Sequence, residues 1–84
     1  FSLGQNRPNP AIQETSFDLN ATKTAEYRMT VTNILGQVVF DRDLGKLESG
    51  KNEITINTSQ LTSGVYFYSI FSEGKVYTKK MTIN

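Results

Sequence analysis

The sequence predicts an all-β sandwich held in one domain. Three observations carry that prediction. Polar and apolar residues alternate along most of the chain, no helical period lasts beyond one turn, and turn-forming residues recur about every eight to twelve positions. The chain has 84 residues, 37% of them hydrophobic and 20% charged. That is room for a single domain over 1–84, and too apolar for a disordered tail. A domain of this size buries only about 60–65% of the surface its unfolded chain exposes, so its core is thin. Without Trp, five Phe and four Tyr must supply the aromatic bulk.

The elements follow in order. Ser2 to Pro10 is short and ends in Arg7-Pro8-Asn9-Pro10. Two prolines around an asparagine force extended or turn geometry and remove backbone donors, so the segment reads as an edge strand followed by a rigid entry. Thr15, Phe17 and Leu19 alternate with Ser16, Asp18 and Asn20 as in a half-buried strand, and a polar turn follows over 21–25. Tyr27, Met29 and Val31 alternate with Arg28, Thr30 and Thr32, the cleanest strand of the chain. Asn33-Ile34-Leu35-Gly36 then makes a turn in which Gly36 is free to take positive φ. Val38, Val39 and Phe40 open the returning strand with an ambiguous register, because Val38 and Phe40 point one way and Val39 the other. Residues 41–50 read as a charged connection with room for more strand. Ile54 and Ile56 mark a further strand, and Leu61 to Gly64 a corner. From Val65 to Phe71 both faces are apolar, with Tyr66, Tyr68 and Ile70 on one and Val65, Phe67 and Phe71 on the other. Ser72-Glu73-Gly74-Lys75 is a hairpin turn, and the closing strand runs from Val76 to Ile83.

The Leu61-to-Tyr66 segment resembles the tyrosine corner of Greek-key sandwiches. Gly64 allows the bend, and Tyr66 buries its ring while its hydroxyl bonds a backbone group upstream. The expected architecture is therefore an immunoglobulin-like Greek-key β-sandwich of about seven antiparallel strands, with Tyr66, Tyr68 and Ile70 facing the core.

Composition excludes much chemistry. With no Cys and no His there is no thiolate, no Cys-ligated zinc, no disulfide and no imidazole base. The serines lack the strand–turn–helix context of a nucleophile elbow, and Gly45 and Gly50 belong to no phosphate loop. Asp41 and Asp43 have the spacing of a carboxylate pair, but Arg42 between them and Lys46, Glu48 and Lys51 beyond make a solvated mixed-charge stretch the better reading. The chain thus reads as no enzyme, with no catalytic, metal or cofactor site and no small-molecule substrate. A net charge of +1 gives no basis for nucleic-acid binding, and no apolar run approaches the ~18 residues of a membrane span. The chain opens at Phe1, without Met or a signal peptide, and reads as a piece of a longer protein.

Two surface features stay open on physics alone. Lys75, Lys79 and Lys80 sit on a last strand with no acidic residue from 75 onward. They either guard an edge against unwanted pairing or mark it as a handle that a partner adds to its own sheet. Val65, Phe67 and Phe71 make an outward apolar patch that the N-terminal strand is expected to cover.

Taken together, Pro8-Asn9-Pro10, Tyr27 to Val31 running into Gly36-Gln37, Gly50 to Ile56, Leu61 to Tyr66, and Lys79-Lys80-Met81 leading to Ile83 resemble the type A C-terminal sorting domain of the type IX (Por) secretion system of Bacteroidetes-type bacteria. The likeness covers roughly residues 6 to 84. It departs from the family's pattern at Asn33, where members often carry an acidic residue before the glycine turn. The resemblance implies a secretion signal that directs a cargo protein across the outer membrane. The cargo would enter the periplasm by its own N-terminal signal peptide. A sortase-like cell-surface peptidase would then cut near the domain's N-terminal boundary, leaving the cargo on the cell surface or secreted. Pro8, Asn9, Pro10, Gly36, Gly64, Tyr66, Lys79 and Lys80 are the implied recognition motifs. The implied partners are the secretion machinery and its peptidase, and the C-terminal edge strand is also the expected route to any dimer. The competing class is an accessory carbohydrate-binding or adhesion module, for which Phe67, Phe71 and nearby Tyr77 are the only aromatic set.

Overall fold

The computed structural model describes residues 1–84. Seven strands form and no helix: β1 (Ser2–Leu3), β2 (Glu14–Ala21), β3 (Ala25–Asn33), β4 (Val38–Leu47), β5 (Gly50–Asn57), β6 (Gly64–Ser72) and β7 (Lys75–Ile83). They make a three-stranded sheet, β1-β2-β5, and a four-stranded sheet, β4-β3-β6-β7, with every named pair antiparallel. The hairpins β3–β4 and β6–β7 stay within one sheet, whereas the β2–β3, β4–β5 and β5–β6 connections cross to the other. This is the strand order of an immunoglobulin-like Greek-key sandwich, with β3, β6 and β7 in the C, F and G places and β4 in the C′ place.

The alternation places the core. Phe17 and Leu19 of β2, Ile56 of β5, Met29 and Val31 of β3, Tyr68 and Ile70 of β6, and Met81 of β7 are all fully buried. At the centre Phe17 stacks on Tyr68, ring centroids 4.5 Å apart and 28° between planes, so one aromatic from each sheet fills the interlayer. Tyr66, 6% exposed, makes the expected corner: its hydroxyl donates to the Thr62 carbonyl at 2.8 Å.

Two expectations about the strands are corrected. Residues 41–47 are no connection but the body of β4, and the ambiguous register is resolved by a bulge. Thr32 faces Val38 while Val31 faces Phe40, so Val39 is the extra residue. Phe40 consequently packs against the core, whereas Val38 is 58% exposed. A second register shift between Tyr27 and Arg28 leaves Leu44 over. The second correction concerns the patch on β6. β1 pairs with β2 in the opposite sheet and leaves the outer face of β6 uncovered. Phe67 is half-buried among its cross-strand neighbours Thr32 and Lys80, and Phe71 stays exposed beside Arg28 and Val76. A two-residue strand is too short to reach around the sandwich, and pairing with β2 satisfies its backbone.

The hairpins follow local turn chemistry. Glu73 and Gly74 both take positive φ, at 51° and 77°, the type I′ pattern that matches strand twist. Asn33 organises the β3–β4 turn. Its side-chain oxygen accepts from the Leu35 and Gln37 amides at 2.9 and 3.0 Å, and its amide donates to Gln37 Oε1 at 2.9 Å.

Candidate functional site: the C-terminal strand and the elbow that borders it

β7 lies at the rim of its sheet, paired along its whole length with β6 from Gly64–Ile83 to Ser72–Lys75 without a register shift. Its other edge is not uniformly free. The Ala11 amide donates to the Thr82 carbonyl at 2.7 Å, and the Asn84 amide donates to the Ala11 carbonyl at 2.9 Å. Asn9 Oδ1 accepts from the Thr82 amide at 3.0 Å, and Gln5 Nε2 donates to the Lys80 carbonyl at 2.8 Å. The segment from Gln5 to Ala11 therefore closes the last third of the β7 edge. The proline-rich segment acts here in a way its sequence alone does not reveal: prolines shape an elbow, and the asparagine between them serves as a one-atom substitute for a paired strand.

The elbow is fixed from beneath by a buried polar knot. Asn6, 2% exposed, donates through Nδ2 to the Pro8 carbonyl and to Thr15 Oγ1, both at 3.0 Å. Thr15, 1% exposed, donates in turn to the Pro8 carbonyl at 2.9 Å. The bonds preceding Pro8 and Pro10 are both cis. Next to the knot, the buried Tyr68 hydroxyl donates to the Gly4 carbonyl at 2.8 Å. Burial pushes its phenol up to about 12, against a smaller opposite influence of the Asn6 backbone. Asn6 and Gln5 were not among the residues singled out from sequence. The usable signal was Thr15, a hydroxyl on the inward face of β2 that required a polar partner.

Six of the expected motif residues gather at one end of the sandwich. Pro8, Asn9 and Pro10 border the end of β7, Gly64 lies opposite Ile83, Tyr66 faces Asn33 across the β3–β6 ladder, and Gly36 turns the chain just beyond. Gly36 and Gly64 both need glycine's freedom, with φ of 83° and 149°. Lys79 and Lys80 lie apart from that group, toward the middle of β7. Lys79 stands opposite Tyr68 and Lys80 opposite Phe67, so they project to opposite faces of the sheet, and both are exposed.

The remaining charges are arranged on other surfaces. Arg28 of β3 holds Asp41 of β4, with Nε donating to Oδ1 at 2.9 Å, and that hydrogen bond keeps the Asp41 carboxyl below its ordinary range. Asp43 Oδ1 accepts from the Gly45 amide at 2.8 Å. Arg7, Asp18, Glu53 and Lys51 form a mixed-sign cluster on the outer face of the three-stranded sheet. Phe71 and Tyr77 do not share a face: Tyr77 lies opposite the buried Ile70 and packs against Phe1, centroids 4.6 Å apart, while staying exposed. Phe67, Phe71 and Tyr77 therefore do not make one three-ring face.

The model of one family, described as the secretion system C-terminal sorting domain, matches residues 7–84, beginning at the elbow and running through the end of β7. No curated protein matches the chain.

Proposed function

The chain belongs to the family of secretion-system C-terminal sorting domains, and we propose that the elbow and β7 together form the surface by which the type IX secretion machinery reads it. As a member of that family the domain is a type IX C-terminal sorting signal, a non-catalytic class of domain. It directs export across the outer membrane to the cell surface or beyond, which implies interaction with the secretion machinery. The observation that supports the reading is the joining of Asn9 and Ala11 to Thr82 and Asn84, which makes two segments far apart in sequence one continuous surface. Lysines on both faces of β7 give that surface its charge.

Two finer steps complete the proposal. The cargo passes through the periplasm with this domain folded, and a sortase-like peptidase then cuts on the N-terminal side of the elbow. Cleavage there leaves the buried knot of Asn6 and Thr15 intact.

The test is a reporter protein carrying an export signal peptide and this domain, expressed in a type IX-competent bacterium and followed in periplasm, outer membrane and medium. Deleting residues 76–84 is expected to hold the reporter in the periplasm. Because that deletion also removes Met81 and Ile83 from the core, Lys79→Ala/Lys80→Ala and Asn9→Ala are run beside it. Normal surface delivery of both folded surface variants would refute the assignment of the reading surface.

A further inference from the structure

The sandwich has few places where another chain could add a strand, and the edges differ in how they are blunted. β1 has two residues. β4 carries the two bulges at Val39 and Leu44, which twist an edge away from a partner. On β5, Arg42 reaches over from β4 and donates to the Thr55 carbonyl at 3.3 Å, and the strand carries both signs of charge in Lys51 and Glu53. On β7 the elbow closes Thr82, Asn84 and the Lys80 carbonyl. Strand periodicity then fixes what is left. Thr82 directs its amide and carbonyl away from β6, so Val76, Thr78 and Lys80 do the same two residues at a time. Val76, Thr78 and the Lys80 amide thus stand in continuous register with β6 and have no hydrogen-bond partner on the outer side.

Its charge is of one sign. Lys75 and Lys79 project to one face and Lys80 to the other, no acidic residue follows Lys75, and the nearest one, Glu73, is engaged by Lys23 at 3.2 Å. A second copy is restricted in register. Antiparallel self-pairing centred on Tyr77 sets Lys75 against Lys79, and centring on Lys79 or Lys80 sets each lysine against itself, which is destabilising across a strand pair, whereas centring on Thr78 avoids the clash but leaves every lysine without an opposite charge. Resting on the reading of β7 as the recognised surface, we infer that the Val76–Lys80 edge accepts an extended, acidic segment of another protein by strand addition. The carboxylates of that segment face Lys79 and Lys80, and the elbow stops the added strand from running past Lys80. Backbone bonding supplies the contact and the lysines select the sign of the partner.

The probe is a short synthetic peptide with glutamates on both faces among valine and threonine, added to the 84-residue chain and followed by amide exchange and chemical shift. Protection is expected at the Val76, Thr78 and Lys80 amides, with Thr82 unchanged because it is already bonded. Lys79→Glu/Lys80→Glu is expected to weaken binding about tenfold. Thr78→Pro removes one outward donor, which an edge strand tolerates, and is expected to abolish the protection. The same peptide with lysine in place of glutamate is expected not to bind. Equal binding to the charge-reversed chain, or protection elsewhere than on β7, would overturn the inference. So would concentration-dependent doubling of mass with protection of the same amides, which would assign the edge to a second copy. In the reporter assay, normal delivery by the Thr78→Pro chain refutes strand addition alone, whereas normal delivery by the alanine variants of Lys79, Lys80 and Asn9 refutes the recognition surface as a whole.

Discussion

Tyr68 offers the most direct test of how the N-terminal segment is tied to the core. Replacing it with Phe keeps the ring on Phe17 and deletes only the hydroxyl, which is fully buried with its side chain and donates to the Gly4 carbonyl at 2.8 Å. A net hydrogen bond contributes about 1 kcal/mol, and an acceptor left without a partner raises the cost toward ~1–3 kcal/mol. Gly4 is half-buried, so water partly replaces the lost donor and about 1.5 kcal/mol is expected. For a domain of this length, whose total stability is of order 4–13 kcal/mol, that is a substantial fraction. Urea unfolding at neutral pH should show it as a lower midpoint at unchanged slope, and heating as a fall in Tm of roughly 6–12 °C. The pH dependence supplies a second readout. Folding raises the phenol from about 10 to about 12, so the folded state favours the neutral form. The stabilisation is therefore complete below pH 10 and is lost as pH rises from 10 to 12, at about 1.4 kcal/mol per unit. Tyr68→Phe has no such proton to lose, so the gap of about 1.5 kcal/mol should close about midway through that window and reverse above it. A loss under about 0.5 kcal/mol at neutral pH, with a gap that stays constant to pH 12, would refute the argument.

Four further outcomes are expected. Phe17→Ala should cost about 3–5 kcal/mol, seen as a much lower urea midpoint and a weakened near-ultraviolet aromatic circular dichroism. Gly64→Ala meets no neighbour within 4 Å but must hold φ at 149°, so about 1–3 kcal/mol of backbone strain should appear in urea unfolding. Asn33→Asp keeps both accepted turn bonds and should change stability by less than about 0.5 kcal/mol, whereas Asn33→Ala should cost about 1 kcal/mol. Asn9→Ala should speed exchange of the Thr82 amide with a stability loss near 1 kcal/mol, since the exposed donor turns to water.

The inward faces were legible because the alternation has a period of two: Thr15-Phe17-Leu19, Tyr27-Met29-Val31 and Tyr66-Tyr68-Ile70 are buried as their spacing required. The corner was legible because glycine and tyrosine there have few other uses. β4 was not, because bulges at Val39 and Leu44 break the period, and a strand that exposes both faces at the rim carries mixed charge like a loop. At the site, the lysines could be placed on an edge strand and the prolines in a rigid segment. Their relation could not be read, since it rests on side-chain atoms of Gln5 and Asn9 meeting backbone groups 75 and 73 residues away. Local pattern carries no information on such contacts. Val65, Phe67 and Phe71 show the opposite limit: apolarity announced a surface in need of cover, and the topology sent the expected cover to the other sheet.

The bonds that tie the N-terminal segment to β6 and β7 also set a clock. They join residues far apart in the chain, from the separation of 64 between Gly4 and Tyr68 to that of 75 between Gln5 and Lys80. Contacts that close loops of this length form late. A chain emerging N-terminus first can build β2 against β5 and β3 against β4, but it has nothing to seal Asn9 or Ala11 until Thr82 and Asn84 exist. Any nascent or broken chain that stops short of those residues lacks the finished surface altogether. The architecture thereby makes closure of the elbow wait on synthesis of Thr82 and Asn84, long after the segment that it fixes has emerged.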